Sequence, residues 1–476
     1  MNFQFYISRE NKPVIEYYQS YFLEKLGFYL HYCPRLDIQF LDAHIVLLGG
    51  PATEKKDLES LIGVKKGSHP KEIIGYTDKW IGRWLLIWNS YVITDCWSSI
   101  TVYWKSTGLV SQSLLLASVP GLLHKAHELK SNVLFTDGVR QLASMNRLYA
   151  DDALYIGQSK VLKVKISPRF CASRMSTSLS ACVYFSKMVA TLRESKRRKR
   201  DYWVGLTAGK DSRVALGILK KADLNVESYT FLKPLKAMSL GDFLLPSLVA
   251  LIMGCRHRFI RASKLSCRIT NVRLIEEGLG LTGLSVEVPG SVAYYAGRGC
   301  YMHLANDASR VMVVSLYFDL ITGTLANYVR TPEYWDAIGL SLPLDEQVRI
   351  MKYGHESFGG ITNKDFLVKG YYYWHYKQRL VHETCISLEL LGIQIFCPGI
   401  CAELVNKHLT LSRKELIGFK TMRLWLNKHY RWLLLLPYHL IIQEPRLYVN
   451  IIKRKAFTLM NVVNDAAKDK GWLKDS

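Results

Sequence analysis

The sequence has few of the features that mark secreted, metal-binding or membrane-spanning proteins. Its ten cysteines include no Cys-x-x-Cys pair, and we interpret them as mostly buried free thiols. The polar, aromatic N-terminal stretch lacks the basic start and apolar centre of a signal peptide, so a reducing cytoplasm is the expected location. The most apolar run, residues 430–442, is broken by Pro437 and His439. It is shorter than the roughly 20 residues of a membrane span, and we expect it in the core.

Acidic residues are scarce relative to basic ones. The chain has 63 Lys and Arg against 40 Asp and Glu, a formal charge of +23. This excess predicts attraction to polyanions, which include nucleotides, nucleic acid and anionic membrane surfaces. Residues 193–200, RESKRRKR, contribute to it. We interpret this run as a solvated helix end in preference to a nucleic-acid patch, because no alternating aromatic residues surround it.

The chain does contain ample core-forming material. Hydrophobic residues make up 49% and aromatic residues 12% of its 476 positions, a composition typical of globular proteins. The length allows two or three cores. We predict two main domains, residues 1–190 and residues 191–476.

The spacing of apolar residues changes along the chain. From Asp37 to about Ser180, short apolar runs separated by Gly, Ser and Asn are typical of strands and predict a sheet-rich domain. Residues 202–261 alternate between strand-like and helix-like runs, which predicts a parallel sheet with right-handed crossovers. From about Val311 onward, long amphipathic stretches predict helices.

One segment joins a predicted strand to a predicted helix through a small, Gly-containing turn. Residues 204–219 read VGLTAGKDSRVALGIL and contain neither Gly-x-x-x-x-Gly-Lys-[Ser/Thr] nor Gly-x-Gly-x-x-Gly. In an open parallel sheet, such a turn presents backbone N–H groups and the positive end of a helix dipole, so Thr207 to Ser212 would suit a phosphate group. Alternatively, Asp211 or Ser212 caps the helix and Gly209 relieves the turn, which requires no ligand.

The turn TAGKDS resembles the Ser-Gly-Gly-x-Asp-Ser signature of the PP-loop ATP pyrophosphatases, with Thr and Ala at its first two positions. Within that superfamily, the chain resembles the asparagine synthetase family. Four stretches are similar to the family in the expected order: two to its glutaminase domain and two to its synthetase domain, namely residues 76–104, 151–167, 226–261 and 371–415. The resemblance spans about residues 40–440.

The resemblance implies an α/β fold in which an N-terminal glutaminase-like (Ntn-type) sandwich precedes a Rossmann-like, parallel-sheet PP-loop synthetase domain with a helical C-terminal part. It implies ATP and Mg²⁺ as cofactors of an AMP-forming amide ligase. The residues implied in ATP binding lie in the turn and in a later helix: Thr207, Ala208, Gly209, Lys210, Asp211, Ser212 and Asp242. Asp211 and Asp307 are implied as metal ligands, and Asp307 and Lys453 as catalytic residues.

Two positions depart from the family pattern. The family's glutaminase nucleophile is a cysteine that follows the initiator Met, whereas this chain has Asn2, and its nearest cysteine is Cys33. The N-terminal domain is therefore expected to be a scaffold without glutaminase activity. In the best match to the family's acidic loop, Asp307 is present, but Ser309 stands where an acid is expected.

Several of these residues have a structural alternative. Asp242 and Asp307 each suit the start of a helix, and we favour a capping role for both. Lys210 occupies the variable position of the signature, where side chains usually point to solvent. His257 is expected at a basic strand end, and Arg213 in a structural ion pair, instead of in catalysis.

Two other functions stay open beside the ligase, whose partners would be ATP, an unidentified carboxylate and an amine donor. The first is a catalytically degenerate relative that binds a nucleotide, a partner protein or a peptide. The second is a PP-loop enzyme that modifies RNA, which the net charge of +23 suggests. The absence of a Cys-x-x-Cys pair and the sheet-rich N-terminal half count against it.

Overall fold

In the computed structural model, the described residues are 5–13, 16–64, 69–100, 102–104, 110–111, 146–148, 152–157, 160–166, 181–195, 200–207, 209–232, 240–261, 310–315, 318, 385, 388–389, 392–409, 415 and 420–436. They form a mixed α/β structure with two antiparallel sheets and one parallel sheet. No helix among them is both long and apolar enough to cross a membrane.

The N-terminal unit contains two six-stranded antiparallel sheets. The first has the order β10-β8-β9-β1-β3-β2, formed by β1 (Phe5–Ser8), β2 (Gln19–Leu23), β3 (Phe28–Tyr32), β8 (Tyr103–Trp104), β9 (Val110–Ser111) and β10 (Asn146–Arg147). The second has the order β12-β11-β7-β6-β5-β4, formed by β4 (Ile38–Asp42), β5 (Ile45–Leu48), β6 (Leu85–Trp88), β7 (Tyr91–Thr94), β11 (Asp152–Ile156) and β12 (Val161–Lys165). Two helices follow β5, namely α1 (Lys55–Ile62) and α2 (Pro70–Thr77).

Alternation along β5 creates two separate cores in this unit. Val46 and Leu48 pack with apolar residues of β1 and β3, so they fill the space between the two sheets. Ile45 and Leu47 point to the other side and pack with α1 and α2. The second sheet is therefore covered on both faces, which explains why β5 and β6 are apolar throughout.

The second unit contains a five-stranded sheet in which every strand is parallel to its neighbours. Its order is β15-β14-β13-β16-β17, formed by β13 (Asp201–Gly205), β14 (Asn225–Leu232), β15 (Arg256–Arg261), β16 (Arg310–Val313) and β17 (Gln394–Phe396). Its described helices are α3 (Ala181–Glu194), α4 (Lys210–Lys221), α5 (Leu240–Ile252), α6 (Ala402–Leu409) and α7 (Lys420–Tyr430), and a 3-10 helix follows (Arg431–Leu434).

The two faces of β13 have different surroundings. Tyr202 and Val204 pack into one core with α3, α4, α5 and α7. Trp203 points the other way, where the guanidinium carbons of Arg258 and Arg310 lie 5.4 and 4.7 Å from its ring centre. Because α3 belongs to this core, the predicted domain boundary at residue 190 falls within a helix of the second unit.

The sequence predicted part of this arrangement. The parallel sheet and the succession β13-α4-β14-α5-β15 are confirmed. The strands of the N-terminal unit begin at Phe5, well before the predicted start at Asp37. Two short strands, β16 and β17, lie in the part for which helices were expected, although α7 confirms helix near the end of the described chain.

The two units meet between the segment before β6 and the segment around β17. The Gly82 N–H donates to the Ile400 carbonyl at 2.9 Å, and the Glu403 N–H donates to the Asp78 carbonyl at 3.0 Å. The Lys187 ammonium of α3 lies 2.9 Å from the Glu403 carboxylate. Backbone hydrogen bonds and side-chain contacts thus attach the antiparallel sheets to the parallel-sheet unit.

Candidate functional site

The turn singled out in the sequence lies where the strand order of the parallel sheet reverses. Strands β14 and β15 continue to one side of β13, whereas β16 and β17 lie on its other side. The turn from Thr207 to Gly209 follows the carboxyl end of β13 and leads into α4. In open α/β sheets, ligands bind in the crevice beyond the carboxyl ends of the strands at such a reversal.

A further polar residue follows β16 at the same edge of the sheet. Val204 is paired with Val313 in the last pair of the ladder, and Ser315 follows that pair by two residues, at the edge of the sheet where Thr207 also lies. Ser315 was not among the site residues predicted from the sequence. Its only local signal is that it ends the apolar run of β16, and the strand pairing is needed to relate it to the turn.

Hydrogen bonds within the turn fix its shape. The Gly209 N–H donates to Thr207 Oγ1 at 3.1 Å, and the Thr207 N–H donates to Ser212 Oγ at 3.2 Å. The two hydroxyl oxygens lie 3.3 Å apart. Ser212 is buried. The hydroxyl groups of Thr207 and Ser212 therefore brace the turn.

The start of α4 contradicts the alternative that a side chain caps it. Gly209 is the N-cap residue, and the cap has no side-chain hydrogen bond. Asp211 and Ser212 are the second and third residues of the helix, so neither occupies the cap position that was expected of one of them. A glycine N-cap has no side chain that could occupy the N-terminal end of the helix, and this end attracts an anion.

The first turn of α4 also carries charge. Lys210 is half-buried instead of pointing freely into solvent, and burial lowers the pKa of its ammonium to about 8, although Asp211 acts in the opposite direction. Arg213 is fully buried and donates from Nη1 to the Leu436 carbonyl at 3.1 Å, which supports a structural role for it. An anion would lessen the cost of burying the Lys210 cation.

The remaining predicted site residues are not brought together by the described structure. Ala208, Asp307 and Lys453 lie outside the described residues, and so do Asn2 and Ser309. Asp242 is described only as a backbone position within α5. Their assigned roles stay predictions.

His257 lies in β15, at the edge of the described sheet, as expected for a residue of a basic strand. Its Nδ1 atom is 2.9 Å from Ser228 Oγ, and burial lowers the pKa of the imidazole. The neighbouring Arg256 and Arg258 lie 3.5 and 3.2 Å from Glu227. These contacts support a structural role for His257.

The described cysteines agree with the interpretation of buried free thiols. Five are buried and Cys255 is partly exposed: Cys33, Cys96, Cys385, Cys397 and Cys401 are the buried ones. Cys33, the cysteine nearest to the N-terminus, is 1% exposed. A nucleophile must reach its substrate, so Cys33 does not replace the cysteine that the glutaminase pattern requires.

Comparison with known proteins adds no assignment. No protein-family model matches the chain, and no curated protein matches it at a significant level. The chemistry that the geometry itself supports is binding of a phosphate group or another anion at the turn between β13 and α4.

Proposed function

We propose that this protein is an ATP-dependent, AMP-forming amide ligase of the asparagine synthetase type, without glutaminase activity. The observation that carries the proposal is the turn between β13 and α4, which lies at the reversal of the strand order and leads into a helix with a glycine cap. The TAGKDS sequence of this turn supplies the resemblance to ATP pyrophosphatases.

In this proposal, the pyrophosphate part of ATP lies against the first N–H groups of α4. Gly209 allows close approach because it has no side chain. The contact between Thr207 and Ser212 keeps the backbone in the required shape. The Lys210 ammonium neutralises phosphate charge from a partly desolvated position, where its attraction is stronger than in water.

Mg²⁺ fits this site through the nucleotide. Among the described residues, no three His, Cys, Asp or Glu side chains converge, but magnesium at nucleotide sites needs only one or two carboxylates besides the phosphates. Asp211, in the first turn of α4, would hold it, with Asp307 as the second predicted ligand. When bound, Mg²⁺ neutralises charge that develops on the leaving pyrophosphate.

The reaction would proceed in two steps. A carboxylate oxygen of the substrate attacks the α-phosphorus of ATP, the bond from this phosphorus to the bridging oxygen breaks, and pyrophosphate leaves. An amine nitrogen then attacks the acyl carbon, loses a proton, and AMP leaves. Lys453 is the residue predicted to assist this second step, and Asp242 is predicted to contact the nucleotide or substrate.

The amine would be ammonia from solution or an amine of the substrate. Asn2 stands in place of the glutaminase nucleophile, and Cys33 is buried, so the N-terminal unit has no described thiol to release ammonia from glutamine. Its two antiparallel sheets support the proposed glutaminase-like ancestry, in which the sandwich is retained as a scaffold.

A pyrophosphate-release assay tests the proposal. The protein is incubated with ATP, Mg²⁺ and a panel of carboxylates, with hydroxylamine as a general amine acceptor. The expected result is pyrophosphate and AMP in equal amounts together with a hydroxamate of one carboxylate. Asp211→Asn should abolish release. Asp223→Asn is the matched control, because Asp223 follows the other end of α4 and its positive φ of 57° is tolerated by Asn.

Two outcomes would favour the alternatives. If ATP binds but no carboxylate yields pyrophosphate, the protein is a nucleotide-binding relative without ligase activity. If ATP does not bind while RNA binds in a salt-dependent manner, the RNA-directed alternative replaces the ligase.

A further inference from the structure

Helix α5 has apolar side chains on two opposite sides. One side is buried and packs into the core of the parallel-sheet unit through Val249 and Ala250. On the other side, apolar residues recur at helical spacing and are exposed to solvent. They are Leu244, Leu248, Leu251 and Ile252, here called the leucine stripe. Leu251 is 76% exposed. Because a helix that is apolar all round is normally buried, the leucine stripe indicates a surface that is covered in function.

An exposed tryptophan lies in an element that neighbours α5. The 3-10 helix after α7 contacts α5, and its Trp432 is 45% exposed. The guanidinium carbon of Arg431 lies 5.8 Å from the Trp432 ring centre. Tryptophan next to a cationic side chain is favoured where an apolar layer meets a polar one, because the ring is apolar and its N–H is polar.

Cations cluster near the C-terminal end of α5. They are Lys220, Lys221, Lys428 and Arg431, here called the cationic rim. Lys220 Nζ donates to the Gly254 carbonyl, just after α5, at 3.1 Å. The Tyr430 hydroxyl at the end of α7 donates to the Gly217 carbonyl of α4 at 3.3 Å, so Lys428 lies near the end of α4 that carries Lys221. Burial, and then the charges of these two lysines, lower the pKa of His429. The nearby acid Asp223 is paired with Arg193 at 3.0 Å.

We infer that this face binds peripherally to an anionic lipid bilayer, with the leucine stripe and Trp432 among the lipid headgroups and the cationic rim at their phosphates. Apolar insertion and electrostatic attraction each give weak binding alone, and together they give stable attachment. The net charge of +23 strengthens the attraction.

The arrangement leaves the candidate nucleotide site open. Helix α5 returns from the carboxyl end of β14 to the amino end of β15, so Leu251 and Ile252 lie at the edge where the strands begin. Lys220 and Lys221 lie at the same edge, because they end α4. The turn at Thr207 lies at the opposite edge. A bilayer bound at the leucine stripe would therefore not block it.

A second copy of the chain fits this surface less well. In a two-fold dimer the same patch meets itself, so both protomers bring their cationic rims into one interface. Like charges brought together at an interface disfavour association. An anionic bilayer instead complements both the apolar and the charged parts of the face.

Vesicle flotation tests the inference. The full chain is expected to float with phosphatidylcholine vesicles that contain about one-third phosphatidylserine and to remain in solution with pure phosphatidylcholine. The double variant Leu248→Ser with Leu251→Ser should bind the anionic vesicles about tenfold more weakly or worse. The double variant Lys221→Gln with Lys428→Gln should lose a similar factor. Leu162→Ser, at an exposed leucine of β12, is the matched control and should bind like the wild type.

Three results would overturn the inference. The first is a wild-type chain that stays in solution with anionic vesicles. The second is unchanged binding of the leucine double variant, provided that its thermal unfolding matches that of the wild type. The third is a dimer in sedimentation velocity that Leu251→Ser dissociates and that does not bind vesicles, since a second copy would then cover the leucine stripe.

Discussion

Arg83 and Glu389 form a buried ion pair that links the antiparallel-sheet unit to the parallel-sheet unit. Arg83 Nη1 donates to Glu389 Oε1 at 2.6 Å, and Arg83 Nη2 donates to the Ser99 carbonyl at 3.2 Å. Both side chains are less than a tenth exposed. Arg83 lies just before β6, and Glu389 lies shortly before β17, so the pair holds two distant parts of the chain in one position.

Removing one partner of this pair should destabilise the protein strongly. Glu389→Ala leaves the Arg83 guanidinium buried without its carboxylate, and we expect the free energy of unfolding to fall by about 3–5 kcal/mol. Urea unfolding measures the loss. Glu59→Ala is the matched control, because Glu59 pairs with Lys55 at 3.2 Å on the exposed face of α1. That change should cost no more than about 0.5 kcal/mol.

Replacing both partners provides the decisive comparison. The double variant Arg83→Met with Glu389→Leu removes both buried charges and should be clearly more stable than Glu389→Ala alone. Equal losses in Glu389→Ala and Glu59→Ala would show that the ion pair does not support the junction.

Gly82, next to Arg83, should tolerate no side chain. Its φ is +106°, and a Cβ atom there would lie 2.9 Å from the Phe396 ring. Gly82→Ala combines backbone strain with this collision, and we expect about 2 kcal/mol of destabilisation by urea unfolding. Gly75→Ala is the control, because Gly75 lies within α2, where an added Cβ atom would meet nothing within 4 Å, and it should gain up to about 1 kcal/mol. If Gly82→Ala stabilised the protein as Gly75→Ala does, Gly82 would not be required at this position.

Local sequence patterns correctly predicted the long strands and helices from β13 to β15, which are consecutive along the chain. The strands and helices from β13 to β15 have apolar runs of the right length with polar residues between them, so their type is readable without tertiary information. Strands β16 and β17 have four and three residues, and such short apolar runs look alike in strands and helices. Strand β16 is extended because β13 offers an edge to pair with, and β17 is extended because β16 does. This information is not local.

The candidate site was likewise predictable from the sequence only where its residues are contiguous. The residues from Thr207 to Ser212 are contiguous, so the sequence alone locates the turn. Ser315 is related to this turn only through the pairing of β13 with β16, which places both at the same edge of the sheet. The role of Ser212 as a brace depends on a hydrogen bond across the turn, which the residue type permits but does not specify.

Loss of the Ser212 hydroxyl should change both stability and nucleotide binding. Ser212→Ala leaves the partly buried Thr207 N–H without its acceptor, which should cost about 1–2 kcal/mol in urea unfolding. If the turn binds ATP, its affinity, measured by titration calorimetry, should fall several-fold. Ser60→Ala is the control: the Ser60 hydroxyl donates to the Lys56 carbonyl on the exposed face of α1, and its loss should change neither quantity appreciably. A destabilised Ser212→Ala that binds ATP normally would separate the turn from nucleotide recognition.

The pH dependence of ATP affinity should report on Lys210. Burial lowers the pKa of its ammonium to about 8 from the usual 10.5, so between these values the folded chain holds fewer protons than the unfolded chain, and the contribution of Lys210 to stability rises with pH. ATP affinity should instead fall as the pH rises, because the Lys210 cation is lost above a pH of about 8. Lys210→Arg keeps its charge at these pH values and should abolish the decline in ATP affinity. Lys210→Met should bind ATP weakly both below and above a pH of about 8. Lys220→Met, at the other end of α4, should keep the wild-type profile. An affinity that does not vary through this pH range, together with normal binding by Lys210→Met, would exclude Lys210 from the phosphate site.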